Sequence, residues 1–357
     1  MKTTRISSIE FIRLYVALIV MVIHITEFFF SDTVSLTGTA VCLVEFFFML
    51  SGFFLMSHLD GKQDGEETVW DFIIGKVRRF IVPLTIMNII QFVLKCIVDG
   101  ANTAGGVLKK LLHFGWEFLV LQCAGMIQSP QFNQDYLIGP SWYLSAMLLA
   151  LVFAYPLAKH YRRFFVNIIC PFSVLAVYSV FAQKYGTLNV GNDFSGPFMD
   201  AFLRGFAGTC AGVLCYGAYN YCLKKGGEPS GFMKAAEILC WLVLPGAPLL
   251  AYFCSEDFGF LLLIPLFAVI LSAMLNKTPA ARLFNSIPPR TASFLGRISL
   301  YIYLSHFTAL FIAMMLLPDN QAAAKVACTV AVTAVLSTML YLVDSARSAR
   351  KKKVRTQ

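Results

Sequence analysis

Long apolar runs separated by short polar connections recur along the whole chain, at about 9–30, 36–58, 79–98, 141–158, 164–183, 199–222, 235–254, 258–275, 293–317 and 324–344. Most approach the ~20 residues that carry a helix across a bilayer. The pattern predicts an all-α, polytopic integral membrane protein of about ten transmembrane helices. An even number of spans places both termini on one side. The connections then alternate in charge, and one alternate set holds 21 of the 29 Lys and Arg residues, including Lys76, Arg78, Arg79 and the Arg347–Arg355 cluster. Such asymmetry assigns the N- and C-termini to the cytoplasm. The longest external connection, 99–140, contains VLKKLLHFGWEFLVL, whose helical spacing suits an amphipathic helix at the membrane interface. No repeat, linker or second domain interrupts the pattern. The organisation expected is one membrane domain over 1–346 and a basic cytoplasmic tail over 347–357.

Composition narrows the class. Hydrophobic residues form 58% of 357 and charged residues 14%, against roughly 45–50% and 25% in soluble chains, so a large soluble helical domain lacks the polar surface it would need. The net charge of +9 does not point to nucleic acid, because the basic residues lie between apolar runs as topology signals do, and in a tail suited to anionic lipid. Ten cysteines are scattered singly without CxxC or metal-ligand spacing, which reads as small membrane-core residues rather than a disulfide framework. No small-residue cleavage site follows the first apolar run, so that run is expected to be a retained helix.

Against this background the polar residues inside the runs stand out. Arg13, His24 and Glu27 share the first run. Arg13 and His24, eleven residues apart, fall within about 20° on one helix face, with Arg13 about 16 Å nearer the cytoplasm. Glu27 follows His24 at i+3, so the three make a polar column that must face the bundle or an aqueous cavity. A packing role is the alternative reading. On the second helix Glu45 comes out at a depth similar to His24. A carboxylate there would orient an imidazole acting as general base, though Glu45 could equally meet an arginine. Ser51, before Gly52, is either a nucleophile or part of a small-residue packing step. His306 in the ninth run also approaches the His24 level. The two histidines are not in HxxxH spacing, so no metal is expected. The basic group Lys76, Arg78 and Arg79 lies at the mouth of the third span, where it suits the phosphates of a cytoplasmic anionic donor as well as topology. Trp142 and Tyr143 open the fourth span as an interfacial aromatic belt or a sugar-stacking surface. Arg204 either steadies an anionic acceptor or pairs with a carboxylate.

Together these residues resemble the membrane-bound acyltransferase 3 family. The resemblance rests on Arg13-x10-His24, on the acid before FFFMLSGFFL (Glu45 to Leu55), and on Lys76-x-x-Arg79 ahead of Pro83. It extends through the Trp142–Ala146 opening of the fourth span and GRISLYIYLSHF (Gly296–Phe307), in the family's order and over essentially the whole chain. The family's first basic residue is usually Arg where Lys76 stands, and its acid is more often Asp than Glu45. The extracytoplasmic esterase-like and racemase domains of some relatives are not seen. The resemblance implies an O-acyltransferase of a bacterial inner membrane. It would move an acyl group, usually acetyl, from cytoplasmic acyl-CoA as co-substrate to a hydroxyl of an extracytoplasmic sugar or cell-envelope glycan, with no bound cofactor. Lys76, Arg78, Arg79 and Arg13 would then hold the CoA phosphates, and His24, oriented by Glu45 or Glu27, would serve as base or acyl carrier. Trp142, Tyr143, Arg204, Ser51 and His306 would bind the acceptor or shape the site. A transporter or flippase for a sugar, polymer or small polar solute is the alternative.

Overall fold

The apolar runs become helices because nothing in lipid can satisfy a free backbone N–H or C=O. The computed structural model describes residues 6–31, 36, 38–62, 67–101, 103–124, 136–190, 193–226, 231–253, 257 and 259–355. The expected basic residues Lys2 and Arg5, the middle of the 99–140 connection and the last two residues of the tail lie outside them. In chain order the helices are α1 (Ser7–Phe29), α2 (Glu45–Gly61, entered through a 3-10 segment Thr39–Val44), α3 (Val69–Val77), α4 (Ile81–Val98), α5 (Ala104–Phe118) and α6 (Trp142–His160). A single turn α7 (Arg162–Phe164) leads through a π-helical turn into α8 (Cys170–Tyr185), followed by α9 (Asp200–Lys225), α10 (Gly231–Phe253), α11 (Leu263–Leu275), α12 (Pro279–Asn285), α13 (Pro289–Leu316) and α14 (Ala322–Arg355). A two-residue antiparallel pair, Phe194–Ser195 with Phe198–Met199, precedes α9.

Among the described residues eight segments are long and apolar enough to cross a membrane, nine if the pair α11 and α12, bent by 64°, counts as one span. Two of the ten expected spans therefore differ from a plain apolar helix. The run at 258–275 is a 13-residue helix that turns at Asn276, which adopts a left-handed conformation. The run at 199–222 is the 26-residue α9, long enough to cross but diluted by glycine, threonine, asparagine and tyrosine. Its position explains that composition. It is packed against α2, α6 and α8 at the centre of the bundle, where lipid solubility is not required and close approach is.

The polarity of the bundle is the reverse of a soluble protein's. On α4, Ile89, Val93 and Ile97 are about half exposed, while Asn88 and Gln91 on the opposite face are fully buried. The outer faces of α8, α10 and α14 likewise present Phe172, Leu175, Leu242, Phe253 and Val335. This arrangement fits a polytopic membrane protein, whose polar groups face inward. The nine described cysteines are free.

The α2–α9 contact is nearly backbone to backbone. A Cβ at Gly52 would sit 1.9 Å from the Thr209 carbonyl oxygen, and one at Gly212 would sit 1.8 Å from that of Met49. Only glycine fits at these two crossing points, the small-residue packing used where helices meet in lipid. A Gly212→Ala substitution must push the helices apart and is expected to lower stability by about 1–3 kcal/mol. Gly217→Ala, on the same helix with nothing within 4 Å, should be neutral or slightly stabilising, and thermal unfolding of the two variants in detergent is the check.

Candidate active site

Two polar centres form inside the bundle, and they separate the carboxylates that the sequence leaves as rivals. The first lies between α2 and α9. Arg204 Nε donates to Glu45 Oε1, and the Tyr178 hydroxyl donates to Glu45 Oε2 at 2.8 Å. The remaining guanidinium donors reach the Val41 carbonyl at 3.1 Å and the Val190 carbonyl at 3.4 Å. The Trp142 ring covers the guanidinium at 5.2 Å and packs on Phe48. Both ions are shut off from the surface. Gly208 makes room, since a Cβ there would lie 2.6 Å from Glu45 Oε2. Glu45 is therefore committed to Arg204 and Tyr178, which corrects its expected place beside His24. The coarse depth match along two helices could not show which face of α2 the acid occupies. Arg204, for its part, pairs with this carboxylate.

The second centre lies between α1 and α13. His24 Nδ1 is 3.1 Å from Glu27 Oε2, the i+3 neighbour. An ionised carboxylate only accepts, so the proton belongs on Nδ1 and Nε2 keeps its lone pair. His24 is about one-quarter exposed and Glu27 about one-half, so this pair can be reached from the surface. The His24 ring stacks on that of His306 at 5.5 Å and 20°, and meets the edge of Phe307 at 6.0 Å. His306 is fully buried. Its Nδ1 is 3.1 Å from the Ile302 carbonyl, and Nε2 has no partner among the described residues. Both imidazoles thus have Nδ1 occupied and Nε2 available as an acceptor.

The basic cluster forms a third group, at the end of α3 ahead of α4. Lys76 is half-buried against the Phe72 ring at 5.0 Å. Burial, then the charges of Arg79 and Arg13, pull its ammonium down to about 8. Arg13 and the α3 cluster are thus within electrostatic reach of one another. Arg13 also lies 3.3 Å from Glu10, an i−3 partner that the charge pattern of the first helix already contains and that partly offsets its charge. Arg78 is exposed.

Between the basic mouth and His24 runs a series of aromatic contacts. Arg13 acts electrostatically on Tyr143, whose hydroxyl is also in hydrogen-bond reach of Ser51. The Ser51 hydroxyl itself donates to the Phe47 carbonyl at 2.9 Å, so its proton serves the helix rather than an imidazole. Tyr143 meets Tyr303 at 6.1 Å, and Tyr303 meets His306 at 6.0 Å. Tyr303 also donates to the Pro140 carbonyl. Ser51 and Tyr143 therefore lie between the basic cluster and the imidazole pair. Among the described residues no cluster of three or more His, Cys, Asp or Glu side chains is placed to hold a metal ion.

A family model described as an acyltransferase domain matches residues 6–342 and so takes in every residue named above. No curated protein and no solved structure matches the chain.

Removing one partner of a buried ion pair strands the other, which costs about 3–5 kcal/mol. Arg204→Met is expected to lose stability on that scale, and the double variant Glu45→Gln/Arg204→Met to regain most of it. Thermal unfolding of both in detergent measures the difference.

Proposed function

Since the chain belongs to the membrane-bound acyltransferase 3 family, we propose that it moves an acyl group, acetyl in the simplest case, from cytoplasmic acyl-CoA to a hydroxyl of an extracytoplasmic sugar or cell-envelope glycan, working in the cytoplasmic membrane of a bacterium. The observation that carries this reading is the run of side chains from Lys76, Arg79 and Arg13 through Tyr143 and Tyr303 to His306 and His24. It joins an anion-binding mouth to an oriented base, which are the two parts that acyl transfer from a phosphate-bearing donor needs.

The chemistry follows from the tautomer. Glu27 holds the proton on His24 Nδ1, and Nε2 takes the proton of the acceptor hydroxyl as its oxygen attacks the thioester carbonyl. The carbon–sulfur bond then breaks, and the departing thiolate recovers that proton from the imidazolium. Glu27 stabilises the transient positive charge, as the carboxylate of a hydrolase triad does. The cationic mouth binds the phosphates. A lysine there is a point charge rather than a bidentate fork, so Lys76 contributes attraction more than orientation.

His24→Ala at normal expression should abolish acyl transfer, a loss of about 10²–10⁴-fold for a general base. Transfer of acetyl from acetyl-CoA to envelope glycans in proteoliposomes, followed by mass spectrometry, measures it. Undiminished transfer removes His24 from the mechanism, and solute uptake without any acyl-CoA would favour a transporter. A second outcome concerns pH. With its ammonium pulled down to about 8, Lys76 is charged below that pH and loses its charge above it. Affinity for CoA should be flat below pH 8 and fall as pH rises beyond it. Lys76→Arg, charged throughout, should remove the decline, and isothermal titration at several pH values decides.

A further inference from the structure

A concentration of buried polar atoms lies beside the imidazole pair, on residues that the mechanism above does not use. On α4, Asn88 and Gln91 are fully buried and Lys95 nearly so. Their i, i+3, i+7 spacing puts them on one face. Opposite stands Glu117 of α5, also buried, with Gln122 and Ser141 from the segments that follow. The cluster is only partly satisfied. Asn88 Nδ2 donates to the Glu117 carbonyl at 3.3 Å, and Gln122 Nε2 donates to Ser141 Oγ at 2.8 Å. The Glu117 carboxylate accepts from the Leu137 and Ile138 backbone N–H groups, and burial pushes it up to about 7 even so, with the Lys95 charge opposing. Asn88 Oδ1, Gln122 Oε1 and both amide atoms of Gln91 have no hydrogen-bond partner among the described residues.

Four unpartnered polar atoms on three neighbouring buried amides are costly if nothing binds them. An apolar residue at position 91 would serve packing better. Amides that offer both donor and acceptor, flanked by a cation and a carboxylate, match the alternating donors and acceptors of a polyol. The cluster also adjoins the imidazole pair. Ser141 belongs to the turn Gly139–Ser141, a Cβ on Gly139 would sit 3.1 Å from the Phe307 ring, and Phe307 meets His24 edge-on.

We infer that the buried polar cluster of Asn88, Gln91, Lys95, Glu117, Gln122 and Ser141 is the subsite for the hydroxyl-rich acceptor, with the Gln91 amide as its specificity-determining contact. The assignment rests on the acyl-transfer reading for the identity of the ligand as acceptor, and on the stranded amides for its chemistry.

The test titrates the full-length protein in detergent with methyl glycosides of glucose, galactose, mannose and N-acetylglucosamine, following tryptophan fluorescence, since Trp116 and Trp142 lie nearby in the chain. At least one glycoside should bind saturably. Gln91→Met, close in volume, should weaken that binding at least tenfold while leaving the thermal midpoint equal to or above that of the wild type. Gln122→Met is an independent variant should Gln91→Met fail to fold. Binding of none of the glycosides by the wild type overturns the inference. So does unchanged affinity in the variants, with or without a fall in thermal midpoint. Acetyl-CoA binding is measured on the same preparation. Its absence, with glycoside binding and its Gln91 dependence intact, would remove the acyl-transfer reading and leave the subsite standing.

Discussion

The buried pair of Glu45 and Arg204 is the constraint around which the rest of the bundle is arranged. Two opposite charges without water must satisfy each other and their remaining donors and acceptors, or the structure would be better off without them. Here Tyr178 fills the second carboxylate oxygen, and the Val41 and Val190 carbonyls take the other guanidinium donors. Those partners come from the entry to α2, from α8 and from the segment before α9, so one ion pair fixes four pieces of chain. It also sets the helix spacing. Gly208 has to lack a side chain for Glu45 to fit, while Gly52 and Gly212 let the two backbones close on either side.

Apart from that centre, the imidazole pair and the proposed acceptor contacts lie on α1, α13 and α4. The division separates two demands that a single carboxylate would not serve. A buried acid paired with an arginine is locked in place and cannot orient a base that must cycle its charge. Glu27, half exposed, keeps enough solvent contact to tolerate both states of the imidazole. The stacked His306 differs again. With Nδ1 held by the Ile302 carbonyl, it is a neutral acceptor packed under His24, and it gives the ring a fixed floor without adding a charge.

Much of this was legible along the chain, for identifiable reasons. Helices written as apolar runs are readable because lipid imposes their length and composition. The exceptions were α9 and α11, which face protein or bend, so lipid did not write their sequences. His24 and Glu27 are neighbours by helical spacing alone, as are Arg13 and Glu10. The pairing of Glu45 with Arg204 spans 159 positions and depends on which face of α2 meets α9, a fact no single helix records. The amides of α4 carried a signal that could have been used. Asn88, Gln91 and Lys95 share a face inside an otherwise apolar run, as plainly as the column on α1, but uncharged amides attract less notice than a histidine or an arginine.

The geometry also bears on how two substrates of opposite origin can meet. Arg13 and His24 stand about 16 Å apart along one helix, so in the proposed transfer an extended donor has to bridge them. A donor anchored by its phosphates at Lys76, Arg79 and Arg13 must therefore extend along the tyrosines to present its carbonyl at the imidazole. An acceptor held at Gln91 and Asn88 approaches from the α4 side, across Phe307 and the Gly139–Ser141 turn. On that proposal neither needs to cross the bundle, because the two would meet at His24. His24 Nε2 and His306 Nε2 both offer lone pairs, and two acceptors side by side call for a donor. The acceptor hydroxyl is that donor, so the imidazole pair is best satisfied when the second substrate is present.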